Sequence, residues 1–114
     1  MEDLIINTLE KLGHPVMRQG SMMPEEKYPE DFFTFWNDDS SSDSHYDNRH
    51  SAVIWEYSIN FYSTDPQETY AKLSEATELL RAAGFVIDGE GYDVGSDEPT
   101  HTGRGISIIY RQNK

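Results

Sequence analysis

"SAVIWEYSINFYS", residues 51–63, is apolar and polar by turns. Val53, Trp55, Tyr57, Ile59 and Phe61 fall on one side of an extended chain, and Glu56, Ser58 and Asn60 fall on the other. A half-buried antiparallel strand has this period of two. At ~3.3 Å per residue the run is long for a strand, so one end is expected to project past its sheet.

The segments around this strand set the fold class. After it, "TDPQETYAKLSEATELLRAAGF" (64–85) has the marks of a helix. Asp65 stands as the cap, Pro66 takes the first helical position, and Glu68 completes a capping-box arrangement. Leu73, Ala76, Leu80 and Ala83 make a narrow apolar stripe. Gly84 is placed for a left-handed stop, with Phe85 folding back on the last turn. "FVID" (85–88) and "ISIIYRQ" (106–112) read as strands, and "GEGYDVGSDEPTHTGRG" (89–105) between them reads as an irregular acidic connection.

Before the strand, "MEDLIINTLEKLG" repeats Leu4 or Ile5, Leu9 and Leu12 at helical spacing and ends on Gly13. "VMRQG" (16–20) is a short strand, "SMMPEEKYPED" (21–31) an irregular connection, and "FFTFW" (32–36) a strand by composition. The polar run Asn37–His50 then reads as a long flexible hairpin loop. The expected architecture is a single α+β domain over residues 1–114. Two helices would pack on one face of a mostly antiparallel sheet.

Composition narrows the function classes. The chain has 114 residues, enough for one core, with 36% hydrophobic and 12% aromatic residues. Nine Lys+Arg stand against twenty-one Asp+Glu, a formal charge of −12. Binding a nucleic-acid backbone needs cations to displace counterions, so DNA near this surface is expected to be repelled. With no cysteine, disulfides, thiolate metal sites and cysteine nucleophiles are excluded. No apolar run is long enough to cross a bilayer as a helix, and the acidic first segment lacks the basic region of an export signal.

Two polar runs hold chemistry-bearing residues. Asp38, Asp39, Asp43, His45, Asp47 and His50 have the ligand types for a divalent cation. Their spacing matches neither an EF-hand loop nor a helical zinc motif, so a solvated loop is the preferred reading. Asp93, Asp97, Glu98, His101 and Arg104 have the types for a general acid–base pair but equally those of a solvated acidic loop. Gly89, Gly91 and Gly95 do not open a helix and fail as a phosphate loop. Trp36 and Tyr46 flank the first run and Tyr92 lies in the second; such residues either pack on their own domain's rim or anchor protein interfaces. The residues assigned to an interface are Trp36, Asn37, His45, Tyr46, Asp47, Tyr92, Asp97, Glu98 and Arg104. No catalytic residue, cofactor or metal is assigned, and the expected class is not an enzyme. A small metal-dependent hydrolase built on the Asp/His run and an acidic DNA-mimicking regulator are the alternatives from other classes.

The stretches "FFTFWN", "SHYDN", "WEYSINFYSTDP", "LLRAAGF" and "DGEGYDVGSDEPTHTGRGI" resemble those of a small-protein family of tailed bacteriophages and prophages of Gram-positive bacteria. The layout is similar to that of tail-terminator, or tail-completion, proteins of long-tailed phages. The resemblance implies an α+β domain that assembles as a ring, commonly a hexamer, which caps the tail tube and joins it to the head. It implies as partners copies of the chain itself, tail-tube protein and head-completion protein. DNA would pass nearby without being bound, and no membrane is involved. The location implied is the virion, with the host cytoplasm during assembly. A head-completion or connector role is the neighbouring alternative, and no catalytic residue is carried over.

Overall fold

The structure, a computed structural model, describes residues 1–19, 29–42, 52–95 and 100–113. It is an α+β fold of two helices and a five-stranded mixed sheet. The order along the chain is α1 (Glu2–Leu9), β1 (Val16–Arg18), β2 (Asp31–Ser42), β3 (Ala52–Ser63), α2 (Pro66–Ala82), β4 (Val86–Val94) and β5 (Thr102–Asn113). In space the strands run β1-β2-β3-β5-β4. Three of the four pairings are antiparallel; β1 joins β2 in parallel.

The alternating stretch is the central strand. β3 is paired along its length with β2 on one side and β5 on the other. Phe33 stands opposite Phe61 and Phe35 opposite Ile59; Ile59 and Tyr57 in turn face Ile106 and Ile108. Directly paired residues share a sheet face, so these side chains form one apolar layer. They belong to a single buried cluster with Ile5 and Leu9 of α1, Leu73, Ala76 and Leu80 of α2, and Phe85. Each large side chain placed there contributes roughly 1.5–3 kcal/mol.

The two helices end as their residues require. The last turn of α1 tightens into a 3₁₀ turn over Glu10–Leu12, and Gly13 stops it at φ 83°. Asp65 caps α2 by accepting from the Gln67 backbone N–H at 3.0 Å. The expected capping box is not how the Asp65 N–H is held: Ser63 Oγ accepts it at 3.0 Å instead of Glu68. At the other end Gly84 takes φ 102°, and its N–H reaches the Arg81 carbonyl while the Phe85 N–H reaches that of Leu80. This reciprocal pair is a Schellman stop, and it drops Phe85 into the core.

Three stretches read as irregular are strand instead. Asn37–Ser42 is not the start of a loop; it continues β2 opposite β3. Aspartate and serine are poor strand formers, but a long partner with free backbone groups overrides that weak preference. Asp38 is the extra residue of a bulge between Asn37 and Asp39. Gly89–Val94 likewise belongs to β4: Gly89, Glu90 and Gly91 stand against Ile106 alone, and the two glycines take φ 79° and 105°. β5 begins at Thr102 rather than Ile106. The remainder of the expected hairpin loop, residues 43–50, lies outside the described residues.

Because Leu80 is fully buried in the shared cluster, Leu80→Ala is expected to cost about 2–5 kcal/mol of unfolding free energy. Asp65→Ala, which removes only the cap, is expected to cost about 1 kcal/mol. Urea titrations followed by circular dichroism check both values.

Candidate functional site

Cross-strand register also defines what the sheet presents away from the core cluster. Row by row, Trp36 of β2 is level with Ser58, Ser107 and Asp88. On one side of that row lie Glu56, Ile109 and Val86, and on the other Thr34, Asn60, Gly105 and Tyr92. A further row holds Phe32, Tyr62, Gly103 and Val94. Among the described residues the exposed large hydrophobic side chains are Trp36 (49%), Tyr70 (58%), Val86 (63%) and Tyr92 (41%). Three of these, Trp36, Val86 and Tyr92, lie on this second face.

The middle of the face is a shallow trough. Gln19, Trp36, Ser58, Asn60, Tyr92 and Val94 line it, and none of them is charged. Gln19 is fixed at the rim by its backbone N–H, which donates to the Phe35 carbonyl at 2.9 Å. Glycine forms the floor for a steric reason. A Cβ on Gly105 would overlap Asn60 Oδ1 and stand 3.1 Å from Tyr92 Cε2; one on Gly103 would meet the Tyr62 ring and Val94 at 2.6–2.7 Å. The bulge in β4 makes the same face possible, since its two surplus residues return Tyr92 to register with Gly105.

One end of the face is closed by its own aromatics. Phe32 stacks on Tyr62 at 5.2 Å, and the His101 ring stands edge-on to Phe32 at 5.9 Å. His101 Nε2–H donates to the Pro29 carbonyl at 2.8 Å, while Nδ1 meets Thr100 Oγ at 3.1 Å. Asn60 in the trough and Thr34 beside it each have a buried oxygen without a partner. Thr34 is only 5% exposed, yet its Oγ1 has no hydrogen-bond partner, and Asn60 Oδ1 is likewise buried and unpaired. The two residues are direct cross-strand neighbours.

The acidic groups sit around this centre. Asp38, the bulge residue, has its carboxylate held over the face by Ser58 Oγ, which donates at 2.6 Å. Asp88 and Glu56 occupy neighbouring rows. Asn37, by contrast, pairs with Tyr57 on the core side of the sheet, and its Nδ2 donates to the Glu56 carbonyl at 3.4 Å.

Of the residues assigned to an interface, Trp36 and Tyr92 are thus brought to one trough. Arg104 is elsewhere: it pairs with Phe61 on the core-cluster side, donates to Asp93 at 3.0 Å and lies over the Tyr70 ring at 4.5 Å. The suggested acid–base set therefore resolves into an Arg104–Asp93 ion pair and a separately engaged His101. His45, Tyr46, Asp47, Asp97 and Glu98 lie outside the described residues, as do Asp43 and His50 of the proposed metal set. Among the described residues no group of three or more His, Asp or Glu is gathered to hold a metal, and no helix is long and apolar enough to cross a membrane. From sequence, Ser58 and Asn60 read only as the polar side of the alternating strand, and Thr34 only as part of the FFTFW strand; the pairing of β2 with β3 places them beside Trp36.

A polar contact ties α1 to the core side of the sheet. Glu2 pairs with Arg18 and accepts from the Tyr57 hydroxyl at 3.3 Å. Burial raises the Tyr57 phenol above its ordinary value, and the Glu2 carboxylate raises it further.

In comparisons with known proteins, no family model matches this chain, and no curated protein matches it.

Two expectations follow. Gly105→Ala should lower stability by about 1–3 kcal/mol through overpacking against Asn60 and Tyr92, while leaving α2 intact by circular dichroism. For Tyr57, a phenol held protonated in the fold adds stability that is complete below about pH 10, the unfolded value, and is lost as pH rises through the higher folded value. Tyr57→Phe should therefore lose less stability than the parent protein above about pH 10, in denaturant titrations run side by side.

Proposed function

We propose that this chain is a structural protein of a phage or prophage particle. In this reading it is tail-terminator-like and works through surface contact with other proteins. The observation that carries the contact reading is the gathering of Trp36, Tyr92 and Val86 on the face away from the core cluster. Exposed aromatics sharing one face suit an interaction surface, and Trp and Tyr are among the residues most often energetically dominant in such surfaces.

In this reading the two helices pack on one face of the sheet and leave the opposite face to partners. The ends of β2, β3 and β5 past the Trp55–Tyr110 pair, over residues 41–42, 52–54 and 111–113, form a tongue that reaches toward neighbours. Copies of the chain close into a ring, a hexamer by the family resemblance. The ring meets tail-tube protein on one side and a head-completion protein on the other. The formal charge of −12 suits a bore through which DNA slides without sticking. The particle resemblance rests on the sequence stretches quoted above, and the geometry supports the contact surface.

Native mass spectrometry and light scattering at high protein concentration, with and without purified tail-tube protein, test the assignment. A ring-sized species, or a complex with the tube protein, is expected. A strict monomer that also fails to bind the tube protein contradicts it.

A further inference from the structure

We infer that the trough on the second face takes a cationic protein segment, one that presents arginine or lysine beside apolar side chains. This deepens the contact reading by naming the partner's chemistry, and it rests on that reading only in using the same face.

An uncharged centre walled by Trp36 and Tyr92 is bordered by the carboxylates of Asp38, Glu56 and Asp88. Aromatic faces attract guanidinium and ammonium groups through their ring quadrupole, and carboxylates at the border add Coulomb attraction and steering. Arg111, the cation assigned to this face among the described residues, stands level with Ile54, one row past Glu56 and three rows from Tyr92, so Asp38 and Asp88 are the carboxylates nearer the trough.

Thr34 Oγ1 and Asn60 Oδ1 are buried without partners in the row that leads to Tyr92. A buried unpaired acceptor is costly, and small side-chain rotations toward a bound donor would relieve it. Guanidinium supplies five donors and no acceptor. Two copies of this chain meeting face to face would bring the same carboxylates against each other, and like charges disfavour that pairing. A ring contact joins two different patches, and light scattering on the test samples reports it. A second groove runs beside α2, with Tyr70, Thr77, Glu78, Arg81 and Arg104 in its lining. It already holds two cations of its own, and these engage the Glu78 and Asp93 carboxylates, which makes it the poorer site for a third.

The test is fluorescence anisotropy of a short labelled peptide of arginine, leucine and glycine, against a matched peptide with glutamine for arginine. The arginine peptide should bind, and binding should weaken as salt is raised toward physiological strength. The Trp36→Ala/Tyr92→Ala double variant should weaken it about tenfold or more. Glu56→Gln/Asp88→Asn should reduce both affinity and salt dependence. Glu75→Gln/Glu78→Gln on α2 removes the same formal charge elsewhere and should change affinity less than about twofold. Circular dichroism verifies that every variant is folded. The inference is overturned if the arginine peptide does not bind at low salt, or if the glutamine peptide binds equally. It is also overturned if the α2 variant weakens binding as much as the trough variants do. Light scattering on the same samples reports self-assembly separately, so failure of the ring reading and failure of this one are distinguishable.

Discussion

Everything in this molecule depends on β3 being hydrogen-bonded on both sides along nearly its whole length. Because side chains on a strand alternate, that one constraint sorts β2, β3 and β5 into two faces at once. The face with Phe33, Phe35, Tyr57, Ile59, Phe61, Ile106 and Ile108 is consumed by the core. The other face is left with small polar residues, glycines and the aromatics of its outer strands. A slip of one residue in either pairing would exchange the two faces, burying Ser58 and Asn60 and exposing Ile59 and Phe61.

The two interruptions of pairing shape the second face. At Asp38 one surplus residue in β2 brings a carboxylate over Ser58. In β4 the surplus between Asp88 and Tyr92 is absorbed by glycines with positive φ, so that Tyr92 comes down over Gly105. Here local backbone adjustments place Asp38 and Tyr92 on the second face without altering the core. The unpaired Thr34 and Asn60 oxygens lie in the row that ends at Tyr92, beside the row of Trp36.

Sequence patterns made the framework legible because the strongest of them act locally. The period of two in residues 53–61 required no knowledge of neighbours, and Asp65, Pro66 and Gly84 each signal a helix end through their own conformational preferences. What was obscure depended on pairing. Asn37–Ser42 has the composition of a loop, and only a long β3 makes it a strand. Gly89, Gly91, Gly103 and Gly105 read as turn residues, yet in β4 the first two permit a bulge and in β5 the last two permit close approach. Trp36 and Tyr92 stood out as aromatics in polar surroundings. That they wall the same trough follows from Trp36 facing Ser58 and Tyr92 facing Gly105, which no spacing along the chain reveals.

The most direct measurement is a two-dimensional amide NMR titration of the labelled protein with the arginine-containing peptide, read residue by residue. If the second face is the contact surface, shifts should concentrate at Trp36, Ser58, Asn60, Asp88, Tyr92 and Ser107. Shifts centred on the exposed side of α2, or spread evenly over the acidic surface, would contradict the account.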